Sequence, residues 1–74
     1  MSLVITRRPG ECFVMIDKND PAKFSVVKVA ECTRGPVRLV ISAPQSVHIL
    51  RRELLSRYPV HDDVLDEVAR MEAP

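Results

Sequence analysis

The sequence offers chemistry most clearly at two arginine pairs, Arg7-Arg8 and Arg51-Arg52. Each pair ends a stretch with apolar residues at every second position, and one arginine of each pair continues that apolar face. The aligned residues are Leu3, Ile5 and Arg7 in the first stretch and Val47, Ile49 and Arg51 in the last. A guanidinium at the end of an apolar strip can stack on a base or donate to guanine O6 and N7, while its neighbour meets phosphate. The pairs therefore predict contacts with unstacked bases of single-stranded RNA, although solvated charges at strand ends would be the simpler interpretation.

The rest of the sequence offers no catalytic or metal-binding constellation. His48 and His61 lie in different segments, and no Ser or Cys nucleophile has a base beside it in sequence. Cys12 and Cys32 form no Cys-x-x-Cys pair and share no ligand spacing with the histidines. With only two glycines, the chain also has no glycine-rich phosphate loop. We therefore expect no enzyme activity, no cofactor, no metal ion and no structural disulfide.

Charge is divided unequally along the 74 residues, although the formal net charge is only +1. Residues 1–58 carry ten Lys and Arg against five Asp and Glu, whereas residues 59–74 carry one Arg against five acidic residues. A basic body with an acidic tail is compatible with a nucleic-acid partner for the body. The apolar runs fall far short of the roughly 18 residues of a membrane span. At the start of the sequence the first charged residues follow the apolar residues, which is the reverse of the order in a secretory signal. We therefore expect a cytoplasmic protein with no membrane partner.

Hydrophobic periodicity assigns the elements that must hold the arginines. Strands are predicted over residues 2–8, 12–16, 24–31, 37–42 and 47–51, where apolar residues alternate or run together. From Arg52 the period changes: residues 52–58 favour a helix that Pro59 must end or kink, and residues 60–71 form an amphipathic second helix. The sequence thus predicts a mainly β domain with a first helix over residues 1–58, and an acidic helical tail over residues 59–74.

The strands contain more apolar residues than one small sheet can bury. Val26, Val27, Leu39, Val40 and Ile41 fall on both faces of their strands. An isolated chain of this length would leave sheet edges and apolar patches exposed to water. A symmetric homodimer whose strands pair between chains removes both difficulties, and we predict one on these grounds.

Three segments together resemble the carbon storage regulator family (CsrA/RsmA), small post-transcriptional regulators of bacteria. These segments are LVITRRPGE, VRLVISAPQSV and RREL, and they occur in the family's order and at nearly its spacing over residues 2–58. The Thr-Arg-Arg-x-Gly-Glu block and the Ala-Pro block are specific in combination, although neither is specific alone.

The resemblance implies an interlocked homodimer in which strands are exchanged between two five-stranded chains. It also implies binding of GGA motifs, often in hairpin loops of messenger RNA leaders, with blocked translation or altered message stability as the outcome. Each of two RNA sites would combine the first strand of one chain with the last strand of the other. The positions that match the family's RNA contacts, together with Arg52 from the second arginine pair, are Ile5, Thr6, Arg7, Arg8, Ala43, Pro44, Val47, Ile49, Arg51 and Arg52.

The sequence departs from the family pattern at four positions. Leu50 stands where the family has a histidine, Arg52 where it has an acid, and Val40 where it has a glycine; Pro9 follows the first arginine pair. The loop over residues 17–23 is also longer than usual. These departures indicate a divergent member whose target preference can differ from GGA.

Two alternatives remain open at the level of sequence. The chain could be a protein-interaction module of the same fold, forming mixed dimers with weakened RNA binding. The acidic tail could either cap apolar surface with its acids solvated or compete with RNA for the arginines. A protein or small-RNA antagonist is also compatible with the resemblance.

Overall fold

A computed structural model describes residues 2–31 and 33–73 as five short strands, one turn of 3-10 helix and one α-helix. The strands are β1 (Ser2–Arg7), β2 (Cys12–Asp17), β3 (Phe24–Lys28), β4 (Val37–Ser42) and β5 (Val47–Arg51). The α-helix, α1, comprises Asp62–Glu72, and the 3-10 turn comprises Arg52–Leu54. The predicted mainly β fold with a C-terminal helix is confirmed.

The strands form two separate antiparallel sheets. β1 pairs with β4 in one sheet, and β2 lies between β3 and β5 in the other. In the first sheet Ile5 is opposite Leu39, and in the second Val14 is opposite Leu50. Both pairings of β2 are antiparallel, and β5 returns along β2 directly after the loop that contains Ala43 and Pro44.

β3 ends three residues earlier than the prediction of 24–31. Its partner β2 begins at Cys12, opposite Lys28, so the ladder has no further residue to pair with. Val29 instead turns its backbone to the β1–β2 connection: its N–H donates to the Glu11 carbonyl at 3.1 Å, and its carbonyl accepts from the Gly10 N–H at 2.6 Å. Gly10 has a φ of 86°, which a residue with a side chain rarely adopts, so this connection requires glycine.

The first predicted helix is wrong as an α-helix. The segment forms the single 3-10 turn Arg52–Leu54, and bonds between residues three apart follow, such as the Arg57 N–H to the Leu54 carbonyl at 3.0 Å. Seven residues before a proline are too few to nucleate a stable α-helix. Burial of Leu55, only 3% exposed, holds this short turn to the core.

α1 covers one face of the three-stranded sheet. Val64 and Val68 are 0% and 1% exposed and complete the main hydrophobic cluster. The other members of that cluster are Val14, Ile16, Leu50 and Leu55. None of the five acidic residues of α1 is buried, whereas Val64 and Val68 are, so the amphipathic pattern of the tail is confirmed for the observed helix.

A second group of residues is buried elsewhere in the two sheets. Ile5 of β1 and Phe13 of β2 are 2% and 3% exposed, yet neither belongs to the cluster under α1. The outward face of the β1–β4 sheet is different, because the opposed residues Val4 and Val40 remain 44% and 71% exposed. One chain therefore leaves an apolar pair in water, as expected from strands that are apolar on both faces.

The remaining expectations concern thiols, metals and membranes. Cys12 is a buried free thiol, and burial, with a smaller contribution from Glu72, raises its pKa. Cys32, the other cysteine considered for a disulfide or a metal site, lies outside the described residues. Within residues 2–31 and 33–73, no cluster of His, Cys, Asp and Glu could hold a metal ion, and no helix has the length and apolarity to cross a membrane.

Candidate nucleic-acid interface

Arg7 is buried at the end of β1, with its side chain only 7% exposed. Its Nη1 and Nη2 atoms each donate to one carboxylate oxygen of Glu53 at 2.9 Å, which makes a two-pronged ion pair. Nη1 also donates to the Cys12 carbonyl at 3.2 Å, and Nε donates to the Thr6 carbonyl at 3.1 Å. The guanidinium therefore joins the end of β1, the start of β2 and the turn after β5.

The two-pronged ion pair between Arg7 and Glu53 determines the pKa values of both groups. The hydrogen bonds from Arg7 hold the pKa of Glu53 at about 2, well below its ordinary value of 4.5. The charge of Arg51 contributes in the same direction. The pKa of Arg7 is raised, mainly by the hydrogen bond to Glu53, so both partners are charged at neutral pH.

The other arginines of the two pairs point to solvent. Arg8, Arg51 and Arg52 are exposed, and no hydrogen bond within residues 2–31 and 33–73 uses the guanidinium of Arg8 or Arg51. Arg8 is engaged through its backbone, whose N–H donates to Glu11 Oε1 at 2.7 Å in the turn that follows β1. Two pairs that look alike in sequence thus contribute one buried guanidinium and three exposed ones.

Arg52 has a partner from the acidic tail. Its Nε lies 3.2 Å from both carboxylate oxygens of Glu72, the last residue of α1. The same end of α1 is held by Lys28, whose Nζ donates to the Met71 carbonyl at 2.8 Å. The acidic tail therefore places the Glu72 carboxylate beside Arg52, one of the candidate RNA-binding arginines.

A second group of candidate residues lines a cavity of about 200 Å³ between the sheets. The lining residues are Ser2, Leu3, Lys18, Ile41, Ala43, Val47, His48 and Ile49. Three predicted site residues, Ala43, Val47 and Ile49, are therefore brought together here. The walls are mostly apolar, Ser2, Lys18 and His48 supply polar groups, and the exposed Lys18 lies at the rim.

Local hydrogen bonds fix the loop that forms one wall of this cavity. The Val47 N–H donates to the Pro44 carbonyl at 3.0 Å, which closes a tight turn between β4 and β5. The Lys18 N–H donates to the Ser46 carbonyl at 2.7 Å, which ties the β2–β3 loop to the same turn. Pro44 itself is exposed, although its carbonyl is engaged in this turn.

The remaining predicted site residues lie on different faces. Ile5 and Arg7 point inward from β1, whereas Thr6 points to the outward face, opposite Arg38 of β4. The expected alignment of Ile5 with Arg7 is therefore present, but both side chains are covered. Whether any of these residues contacts RNA stays a prediction.

Sequence reasoning missed Lys18 and the environment of His48. Lys18 lies in a polar loop, and no periodicity connects it with β5. His48 shares the face of Ile16, and its ring packs edge-on to Tyr58 at a centroid distance of 5.4 Å. The resembled family has a histidine where this chain has Leu50, and this chain has one two residues earlier, at His48; that difference was the one signal in the sequence for this contact.

Comparisons with known proteins place the chain in a family. The sequence profile of CsrA, the global regulator protein family, matches residues 2–59. Translational regulator CsrA of Clostridium botulinum (strain Loch Maree / Type A3) is 44% identical over 52 residues, which are 70% of this chain and 64% of that protein. Translational regulator CsrA of Clostridium kluyveri (strain NBRC 12016) is also 44% identical over 52 residues, 70% of this chain and 63% of that protein.

The family profile covers the five strands and the Arg52–Leu54 turn and leaves α1 outside. The matched segment spans less than two thirds of the length of these curated relatives. No solved structure matches the chain significantly. Because the profile covers all five strands and both arginine pairs, the chain belongs to the CsrA family of global regulators.

Proposed function

We propose that this chain is an RNA-binding translational regulator that recognises GGA-type motifs in messenger RNA leaders and thereby represses translation or alters message stability. One observation carries the proposal: the cavity lined by Ala43, Val47 and Ile49 lies between the sheets, and the exposed Arg51 ends the strand that forms its wall. The names of the Clostridium relatives support translational regulation as the process. A cytoplasmic location, where messages are translated, belongs to the same proposal.

The geometry supports a division of labour in RNA recognition. The apolar side chains that line the cavity and the exposed Pro44 offer contacts for unstacked bases, which is how proteins read single-stranded RNA. The exposed guanidinium of Arg51 can donate two parallel hydrogen bonds to a guanine edge, and Arg8 and Arg52 can meet phosphates. The chemistry needed is binding only, so no residue is assigned a catalytic role.

Arg7 supports this site in a different way from Arg51. Its donors are directed at Glu53, Cys12 and Thr6, so an RNA contact would require the ion pair to open. By joining β1 to the turn after β5, Arg7 fixes the direction in which Arg51 and Arg52 leave that strand. We therefore assign Arg7 a positioning role beside the contact role that the family resemblance implies.

The homodimer is part of the proposal. β1, β3, β4 and β5 each have one edge without a partner strand among the described residues, and Val4 and Val40 are exposed. Exchange of strands between two copies would keep the β1–β4 and β2–β5 registers while covering apolar surface. Light scattering on a sizing column should give twice the chain mass of 8.4 kDa, and a mass of one chain would contradict the dimer.

The acidic helix has two proposed effects, and separate observations support each. Burial of Val64 and Val68 supports a structural cap for the three-stranded sheet. The contact of Glu72 with Arg52 supports competition with RNA phosphates, because an incoming phosphate must replace that carboxylate. The first effect concerns stability and the second concerns affinity, so the two are separable by experiment.

The competing function, a protein-interaction module with weakened RNA binding, is not favoured. Arg8 and Arg51 remain exposed, and the relatives are named as translational regulators. A chain purified without nuclease treatment should carry nucleic acid, seen as a raised ratio of absorbance at 260 nm to that at 280 nm. A nucleic-acid-free chain that forms only mixed dimers with a paralogue would favour the module instead.

Fluorescence anisotropy tests the function directly. A labelled RNA hairpin with GGA in its loop is titrated with the full chain, beside a hairpin in which the loop bases are permuted. We expect the GGA hairpin to bind at least about tenfold more tightly, since each wrong base costs about 1–3 kcal/mol where bidentate contacts read it. Equal affinity would contradict GGA selectivity, and no binding of either hairpin would contradict the function.

A further inference from the structure

We infer that Lys18 is a further RNA-contacting residue, which meets a phosphate at the rim of the cavity lined by Ala43, Val47 and Ile49. The inference rests on the proposed function and adds to it a contact outside the two arginine pairs. Lys18 also lies in the loop that departs in length from the family pattern.

The backbone of Lys18 is held against the Ala43-Pro44 turn. Its N–H donates to the Ser46 carbonyl at 2.7 Å, across the gap between two loops. On the other side, the Asp17 carboxylate accepts from the Asn19 N–H at 2.9 Å, and the Asp17 N–H donates to the Lys23 carbonyl at 3.0 Å. Because both flanks are fixed, the Lys18 side chain starts from a defined point at the cavity rim.

Lys18 is the one Lys or Arg among the residues that line the cavity, and no acidic residue lines it. Its side chain is exposed, and no ion pair within residues 2–31 and 33–73 uses its ammonium group. Lys23, in the same loop, has its Nζ 4.0 Å from Asp20 Oδ2. A phosphate can therefore approach Lys18 without displacing a carboxylate, and lysine binds phosphate as a point charge.

Lys18 also lines a second cavity, of about 280 Å³. Lys18 and His48 border both cavities, and Tyr58, 44% exposed, lines the second. An RNA strand that places a base in the first cavity and continues toward Tyr58 must pass Lys18. The ammonium group is thus located where the linking phosphate would lie.

The test compares Lys18→Ala with Lys23→Ala in the full chain, using the GGA hairpin at salt concentrations from 50 to 200 mM. Loss of one phosphate contact on single-stranded RNA lowers the slope of log affinity against log salt by about 0.7. We therefore expect Lys18→Ala to bind about three- to tenfold more weakly at the lowest salt, with the reduced slope. Lys23→Ala should keep the affinity and slope of the unmodified chain, and Lys18→Arg should keep the slope.

The outcomes separate this inference from the proposed function. If the unmodified chain binds the hairpin and Lys18→Ala retains its slope and affinity, the inference fails and the function stands. If the unmodified chain does not bind, the function fails and the inference with it. All variants should unfold at the same urea concentration as the unmodified chain. If Lys18→Ala binds more weakly but keeps the salt slope, the loss comes from altered structure and the phosphate contact is overturned.

Discussion

The two arginine pairs occupy comparable places in sequence and different environments in the fold. Each pair ends a strand, and one arginine of each follows an apolar face. Arg7 is buried and donates to Glu53 through both Nη atoms, whereas Arg51 ends β5 in solvent. The difference teaches that alternation indicates the face on which an arginine lies, but the partners across that face decide its role.

Because Arg7 is buried and Arg51 is exposed, we expect the two positions to respond differently to substitution. The buried guanidinium of Arg7 holds structure, because its loss leaves the Cys12 carbonyl and the half-buried ion pair with Glu53 without their donor. An exposed guanidinium adds little to stability and is available to a ligand. The following variants test this difference in order of expected effect.

Arg7→Ala should lower the free energy of unfolding by about 2–3 kcal/mol, because it removes two charge-assisted hydrogen bonds and leaves the buried Cys12 carbonyl without that donor. Urea unfolding followed by circular dichroism measures the change. Arg8→Ala is the matched control and should stay within about 0.5 kcal/mol of the unmodified chain, since its side chain is exposed. Equal losses in both variants would remove the distinction between the two arginines.

Glu53→Gln should have a smaller effect, of about 1 kcal/mol or less at neutral pH, because the Glu53 side chain is 57% exposed. The folded-state pKa of about 2 lies below the ordinary 4.5, so the stabilisation is complete above about pH 4.5 and is lost as the pH falls toward 2. The difference in unfolding free energy between the two chains should therefore shrink over that range. A difference that stays constant down to pH 2 would show that the charge of Glu53 is not what stabilises the junction.

Glu72→Gln should raise RNA affinity about twofold at low salt, since phosphate no longer competes with that carboxylate for Arg52. Glu67→Gln is the matched control, because Glu67 pairs with Arg70 on α1 and not with Arg52. Anisotropy at low and high salt measures both, and the gain should vanish when salt is high. The point variant is cleaner than truncation after Tyr58, which would also remove Val64 and Val68 from the core. If both glutamine variants bind as the unmodified chain does, the tail acts only as a cap.

Much of the fold was predictable because it depends on local pattern. Alternating or continuous apolar residues predicted all five strands, and the spacing of apolar residues predicted α1, although the helix begins at Asp62 and not at residue 60. The error at residues 52–58 has a physical cause: helix propensity is weak over seven residues, and the core contact of Leu55 overrides it.

The candidate site was less predictable because its geometry depends on contacts distant in sequence. Glu53 lies in the 3-10 turn, 46 residues from Arg7 in β1, so no local spacing predicts their ion pair. Lys18 joins the site through a hydrogen bond to Ser46, a contact between two loops. The grouping of Ala43, Val47 and Ile49 was implied by family resemblance, and the cavity supplies its physical basis.

The central claim is that the exposed arginine of β5 binds RNA while the buried arginine of β1 holds the fold. Arg51→Ala tests it most directly, when affinity for the GGA hairpin and the urea midpoint are measured on the same preparation. We expect affinity to fall by about 1–3 kcal/mol while the urea midpoint stays that of the unmodified chain. Unchanged affinity in Arg51→Ala, with a folded chain, would contradict the account.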